Sequence, residues 1–539
     1  MKKAAFFIIV CFVIISIISY SHLTSLFLFR SEEMGPVEFK LLKFFLLTCL
    51  AFGFFILHSR KFIEKTINNG LAITKKFWRR FQNMDRKYLI FLCILIIVSL
   101  IARLILALKI PINYDEALTY INFTKNGFLY SLTHYTSPNN HILHSLLTNL
   151  TYYLPFNNII NLRIPSLAVS IATIPVFFYC FSRLINMKTA ILVTTIFSFL
   201  PIVLYYGYNS RGYSLIVLFF LISFYAAIQI IRNKDHSIGF LRKYLSIFSI
   251  SSILGFYTIP SFLYAYIALI TYLIFFAVFQ KSRVKMFHII ISGMITAFFV
   301  LFIYFPVFIF SGLKAITNNE FVAPISRREV IEGLFKHFTS TFDSLFSING
   351  IIITIILILI SIYLLIKSHK PAELVFGLYI LVLSPFILVI HSVIPFFRTW
   401  IYLIIPILYL LGMFLETIRI QNWKEYNIYG AAVFCSIVQL FVFFNHINEK
   451  EKFSFLAEEV SEFLIASNPE RILVKHPLID GNLIFIFENK KKNILVFQND
   501  YYLENDYDYM VLDTNKDVPQ TYQLIKKFAE DLFVFRRIQ

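Results

Sequence analysis

Adjacent carboxylates stand at Asp115 and Glu116, within Pro111-Ile112-Asn113-Tyr114-Asp115-Glu116-Ala117, directly after an apolar run over about Tyr88 to Leu108. A carboxylate within hydrogen-bond reach of a hydroxyl can take its proton as the oxygen attacks, which makes Asp115, with Glu116 beside it, a candidate catalytic base. The same residues also suit a solvated helix start, with Asp115 as the cap and Ala117-Leu118 following. Three arginines recur at the starts of later apolar runs: Arg163 in Leu162-Arg163-Ile164-Pro165-Ser166, Arg211 in Asn209-Ser210-Arg211-Gly212-Tyr213, and Arg398 in Pro395-Phe396-Phe397-Arg398-Thr399-Trp400. A guanidinium fork suits bidentate contact with phosphate, and it also snorkels from a helix end to headgroups. Carboxylates and arginines at one membrane depth point to a lipid-linked phosphate and a group that must lose a proton.

Between them runs Thr136-Ser137-Pro138-Asn139-Asn140-His141-Ile142-Leu143-His144. His141 and His144, three apart, share a helical face, a spacing that can hold a metal but serves more often for hydrogen bonding. No motif calls for a cofactor, and a divalent metal stays open. Tyr257-Thr258-Ile259-Pro260 reads equally as a pocket wall and as a proline-terminated helix with an interfacial tyrosine. Tyr114, Asn140, His141, His144, Arg163, Tyr213 and Tyr257 are therefore candidate substrate contacts. Arg103, inside an apolar run, and His391, near the end of another, are expected to face a polar cavity, because an intramembrane charge is costly if left to lipid.

The elements that must position these residues are membrane helices. Of 539 residues, 58% are hydrophobic and only 15% charged, against about 25% charged in ordinary soluble proteins. Apolar runs near the ~20 residues needed to cross hydrocarbon recur down most of the chain. They begin with one after Lys2-Lys3 and one over Leu41 to Leu57. Eleven more follow, at about Tyr88–Leu108, Pro165–Ser182, Thr189–Tyr206, Tyr213–Ile231, Tyr244–Tyr257, Ser261–Phe279, Phe287–Phe310, Ile351–Ile366, Leu374–Ile390, Trp400–Leu415 and Ile428–Phe444. The net charge of +18 fits cytoplasmic loops under the positive-inside rule rather than nucleic-acid binding. The basic segment from Arg60 to Lys87 is placed in the cytoplasm, so the third helix runs outward. Alternation of the later loops agrees if His141 to Leu154 lies on the outer surface as an amphipathic helix.

The expected fold is an α-helical polytopic membrane protein of about 13 transmembrane helices, with the N-terminus cytoplasmic. Residues 1–87 hold two helices and the basic loop, and residues 88–446 the main membrane domain with its first outer loop at 109–163. Residues 447–539 form a small extracytoplasmic α/β domain: helix over Ser454 to Ala466, strands over Arg471 to Lys475, Asn493 to Gln498 and Tyr509 to Asp513, and a closing helix over Gln520 to Phe533. No phosphate loop or catalytic motif appears in it, so docking or structural support is its expected role. The five cysteines all lie in apolar runs, without metal or redox spacing.

The order of these motifs, over roughly Tyr88 to Leu415, resembles the polytopic C-type glycosyltransferases. The resemblance is to the protein O-mannosyltransferases and the bacterial transferases that add aminoarabinose to lipid A (glycosyltransferase family 39-like). Tyr114-Asp115-Glu116-Ala117, Ser137-Pro138-Asn139-Asn140-His141, Leu162-Arg163-Ile164-Pro165-Ser166-Leu167, Asn209-Ser210-Arg211-Gly212-Tyr213, Phe256-Tyr257-Thr258-Ile259-Pro260 and Phe397-Arg398-Thr399-Trp400 carry the resemblance. It implies a polyprenyl-phosphate sugar as donor, reaction on the extracytoplasmic face and Asp115 as the catalytic residue with Glu116 its partner. Arg211 falls in the family's Arg-x-Tyr segment and Arg398 before its late proline-containing helix, both implied to hold the donor phosphate. The chain departs in reading Pro138-Asn139 for the family's Pro-Pro step and in carrying two extra early helices. Partners implied are the donor, membrane lipid and an acceptor glycan, lipid or protein, in a bacterial inner membrane. A transporter or flippase of a lipid-linked sugar is the alternative, although no paired halves are visible.

Overall fold

The computed structural model describes residues 36–58, 77–233, 237–317, 324–498, 507–515 and 518–538, with a few isolated positions before residue 77. The expected first helix and most of the basic segment lie outside the described residues. Helices occupy all twelve later apolar runs. In chain order they are α1 (Pro36–His58), α2 (Arg86–Lys109), α3 (Tyr114–Asn122), α4 (Phe128–Thr133), α5 (Ile142–Thr151), α6 (Asn158–Leu184), α7 (Met187–Phe199), α8 (Pro201–Tyr208) and α9 (Tyr213–Arg232). There follow α10 (Ile238–Thr258), α11 (Phe262–Phe279), α12 (Arg283–Phe310), α13 (Arg327–Phe346), α14 (Gly350–Lys367), α15 (Pro371–His391), α16 (Ile404–Thr417, entered through a 3-10 turn, Phe397–Leu403) and α17 (Glu425–Lys450). Among the described residues, nine are long and apolar enough to span a bilayer, or ten if the bent pair α7–α8 is one span. The chain has the polytopic membrane fold expected of it. The expected surface helix is α5, whose 10 residues are too few to cross.

The bend between α7 and α8 is 57°, and its cause is local. Pro201 has no N–H to give the preceding turn, so carbonyls there lose their helical partners. A freed carbonyl in a membrane must be satisfied by protein. Arg103 of α2 does this: its Nη2 donates to the Ser198 carbonyl at 2.9 Å, while Nη1 donates to Ser99 one turn back. Gly207 admits the side chain, because a Cβ there would stand 2.5 Å from Arg103 Nε. Arg103 is thus sealed in the core rather than facing a cavity, correcting the expectation from sequence. His391 is likewise engaged, its Nδ1 lying 2.7 Å from the Tyr264 hydroxyl.

After α17 the chain continues through α18 (Lys452–Ser467), β1 (Arg471–Val474), α19 (Asp480–Asn489), β2 (Leu495–Phe497), β3 (Tyr509–Leu512), β4 (Tyr522–Ala529) and β5 (Leu532–Arg537). The sheet order is β2-β1-β3-β5-β4, with β1 parallel to β2 and β3, and β5 antiparallel to β3 and β4. The closing helix expected over Gln520 to Phe533 is instead the β4–β5 hairpin, in which Ala529 pairs with Leu532. Leu532 and Val534 enter the core under α18 and α19, while Phe533 and Phe535 enter the cluster on the opposite face. Both faces of β5 being buried, residues 532–535 read as a continuous apolar run that hides the period of two, while β4 is largely exposed and does not alternate strictly.

The α19 helix, not anticipated from sequence, ties this domain to the first loop after α2. Phe485 and Ile486 pack with Ile112, Ala117, Tyr120 and Leu162. Asn482 donates to the Ile112 carbonyl at 2.9 Å, and Gly481 lets α19 close on α3, since a Cβ there would lie 3.1 Å from Leu118.

Replacing Arg103 with Ala removes charge-assisted bonds of about 1.5–3 kcal/mol each, leaving the Ser198 carbonyl without a partner. The unfolding midpoint of detergent-solubilised protein is expected to fall by the equivalent of roughly 3 kcal/mol. Arg328→Ala, at an exposed pair with Glu332, is expected to stay within about 0.5 kcal/mol. Equal midpoints for the two variants would contradict the account of the bend.

Candidate active site

The site begins where α2 stops. Pro111 cannot continue the helix, and two residues later Asn113 caps α3. Asn113 Oδ1 accepts from the Asp115 N–H at 3.0 Å, and the Asn113 N–H donates to Glu116 Oε2 at 2.9 Å, a capping box. The cap is therefore Asn113, not Asp115 as the sequence suggested. Glu116 turns inward, where Oε1 accepts from Arg163 Nε at 3.0 Å and from the Ser210 N–H at 2.5 Å. Its Oε2 also accepts from Arg163 Nη2 at 2.6 Å. The rest of the Arg163 guanidinium donates to the carbonyls of Ala107, Ile110 and Pro111, the orphan acceptors left where α2 ends. Glu116 is 2% exposed and Arg163 0%, and the pair joins α2, α3, α6 and the Ser210-Arg211 turn.

Asp115, one residue back, leaves α3 on another side. Its Oδ2 lies 2.8 Å from Arg398 Nη1, with 24% of its side chain and 30% of that of Arg398 exposed. Arg398 stacks over Phe396 at 4.5 Å and has Tyr213, Tyr206 and Tyr205 close enough to act on its charge. Lys450 closes this side, with its ammonium 3.6 Å above the Tyr205 ring. The neighbouring Glu451 accepts from Asn113 Nδ2 at 3.0 Å and from the Ser454 hydroxyl at 2.6 Å. Its carboxyl is held above the usual carboxylate range, chiefly by burial. Neither Lys450 nor Glu451 belongs to a motif, and the only signal in sequence is a charged pair at the end of a membrane span.

Arg211 is buried, and its contacts are structural. Nη1 donates to Thr119 Oγ1 at 2.6 Å, to the Asn139 carbonyl at 3.1 Å and to the Asp115 carbonyl at 3.3 Å. His141 Nδ1 lies 2.8 Å from the Gly212 N–H and its Nε2 3.2 Å from Arg211 Nη2. Burial, then the Arg211 charge, pushes His141 well below the usual imidazole range. Gly212 is required there, because a Cβ would come 2.7 Å from Thr258 and 3.0 Å from His141.

The remaining sequence candidates divide. Asn140 is buried, donating to the carbonyls of Ser131 and His134 and accepting from the Ser145 hydroxyl. His144 Nε2 bonds Ser166 Oγ at 2.9 Å, and burial pushes its imidazole down to about 3, so it is neutral at ordinary pH. Tyr213 stacks edge-on to His141 and against Tyr206 within the aromatic wall beside Arg398. Tyr257 is half-buried against Tyr304, one residue from the Thr258 methyl that meets Gly212. Tyr114 turns to α19, where it faces Asp480. The structure thus brings Asp115, Arg398, Tyr213 and Lys450 together and places Glu116, Arg163, Arg211, Asn140 and His144 in the frame behind them. Among the described residues no group of three or more His, Cys, Asp or Glu side chains is arranged to hold a metal ion.

No family model matches the chain, and no curated protein matches it in sequence. In structure it is similar to ArnT from Cupriavidus metallidurans in the apo state, with a TM-score of 0.57 at 10% identity, covering 83% of this chain and 97% of that one. It is also similar to ArnT from the same organism bound to undecaprenyl phosphate, with a TM-score of 0.53 at 10% identity, covering 84% and 98% of the two chains. The chain shares the fold of these two structures over most of its length.

Glu116→Gln leaves the Arg163 charge buried without its counter-ion, at a cost of about 3–5 kcal/mol. Asp115→Asn breaks a partly exposed pair worth about 1 kcal/mol or less. Thermal unfolding of the purified variants is expected to rank Glu116→Gln well below Asp115→Asn, and the reverse ranking would show that the frame has been misassigned.

Proposed function

We propose that this protein moves a sugar from a polyprenyl-phosphate donor to an acceptor hydroxyl on the extracytoplasmic face of a bacterial inner membrane, with inversion at the anomeric carbon. The observation that carries the reading is the partly open Asp115–Arg398 pair, 2.8 Å apart, on the fold of a protein that has been crystallised with undecaprenyl phosphate. In that setting the donor phosphate competes for Arg398 and leaves the Asp115 carboxylate free. The acceptor oxygen then attacks the anomeric carbon, its proton passes to Asp115, and the carbon–oxygen bond to phosphate breaks with its electron pair. Polyprenyl phosphate departs with the charge that Arg398 neutralises. A phosphate leaves readily, so no acid need protonate it.

Glu116 and Arg211 enter this mechanism as positioning residues, through the capping box and the α3 contacts that aim Asp115. Arg398, rather than Arg211, is the phosphate ligand of this proposal, because the Nη1 group of Arg211 is already spent on Thr119, Asn139 and Asp115. The orientation that serves the reaction has the N-terminus in the cytoplasm and the α/β domain outside. The flippase alternative is not favoured by an ArnT-like fold over most of the chain. The nature of the sugar enters only through the donor offered.

The test is transfer from radiolabelled polyprenyl-phosphate sugars in membranes carrying equal amounts of each protein. Wild type is expected to transfer from at least one donor. Asp115→Asn is expected to lose about 10²–10⁴-fold, the contribution of a positioned base, and Arg398→Ala about 10²–10³-fold. Full transfer by Asp115→Asn would remove the base, and donor crossing the bilayer without transfer would replace the enzyme by a transporter.

A further inference from the structure

The carboxyl ends of the three parallel strands of the α/β domain, β2, β1 and β3, open on one crevice of about 350 Å³, lined by Lys475, His476, Asp480, Gln498 and Asp513 with Val474 and Pro477. β1 lies between β2 and β3, so the chain leaves it to one side through α19 and returns to the other. In open α/β sheets, ligands are bound outside the carboxyl ends of the strands at such a reversal, and the volume lies within the range of small-molecule sites.

The polar groups are arranged to meet a ligand. His476 is 4% exposed, and its Nδ1 accepts from the Leu478 N–H at 3.3 Å. With Nδ1 accepting, the ring proton belongs to Nε2. Asp480 Oδ2 accepts from Gln498 Nε2 at 2.6 Å, leaving the other carboxylate oxygen unbonded. Two carboxylates, one amide, one ring N–H and one ammonium pair with vicinal hydroxyls, which both donate and accept. An anion would meet Asp480 and Asp513, and the set is not arranged to hold a metal.

The position of the crevice supplies its meaning. Asp480 is the first residue of α19 and faces Tyr114, which adjoins Asp115 in α3. We propose that the crevice is a glycan-binding subsite, where sugar hydroxyls of the acceptor are held by His476, Asp480, Gln498 and Asp513 while its reacting end reaches Asp115. Its role as an acceptor subsite rests on the transfer reading above; the binding itself does not.

The test uses the full chain in fluorescent nanodiscs on an array of immobilised bacterial-envelope oligosaccharides. Wild type and Arg328→Ala, at an exposed pair away from the crevice, are expected to bind the same subset of glycans. Asp513→Ala, at an exposed position that tolerates the change, and His476→Ala are expected to bind that subset at least ten-fold more weakly. No bound glycan, or binding unchanged in both crevice variants, would overturn the proposal. Transfer of sugar from the labelled donor to envelope acceptors is followed in parallel. Its absence from wild type would count against the transfer reading while the array still decides the crevice.

Discussion

The buried Glu116–Arg163 pair is the constraint on which the rest of the site depends. Two charges taken out of water stabilise a fold only when every remaining lone pair and proton is met, and here they are. Glu116 receives four donors, and Arg163 closes the carbonyl end of α2 as well as the carboxylate. The cost of separating such a pair makes the turn between α2 and α3 stiff. Stiffness is what a base needs, because general base catalysis falls away when the carboxylate drifts from hydrogen-bond reach. Asp115 takes its direction from a neighbour that is itself sealed from solvent.

The arginines, alike in sequence, divide by burial. Arg103 serves a broken helix, Arg163 a helix end and Arg211 a loop crossing. Of these four, Arg398 alone combines a carboxylate partner with partial exposure. The aromatic residues Tyr205, Tyr206 and Tyr213 wall that position, and Lys450 brings a second cation to it. The α/β domain is part of the same construction: Glu451, at its junction with α17, bonds the Asn113 cap, while α19 packs along α3.

Most of this was legible in the sequence where one physical rule dominates. Hydrophobic length located twelve helices, because backbone groups in hydrocarbon leave few alternatives. The acidic pair and the three arginines at helix starts marked the residues that the fold gathers around the turn between α2 and α3. What was not legible was the direction of each side chain. Asp115 and Glu116 differ by one helical step, about 100°, and only the packing of α6 decides which is buried. The same limit hid the roles of Arg211, Asn140 and His144, whose partners are distant in sequence. The β4–β5 hairpin was mistaken for a helix because the largely exposed β4 does not alternate strictly between apolar and polar residues, and β5 is apolar on both faces. Lys450, Glu451 and α19 carried no spacing that could mark them.

The central claim is a single displacement in which Asp115 activates the acceptor and polyprenyl phosphate leaves directly. The stereochemistry of the reaction tests it most directly. The product from an anomerically pure polyprenyl-phosphate sugar, examined by NMR through its anomeric coupling, is predicted to have the opposite configuration to the donor. A product of retained configuration would require two displacements and would contradict the account.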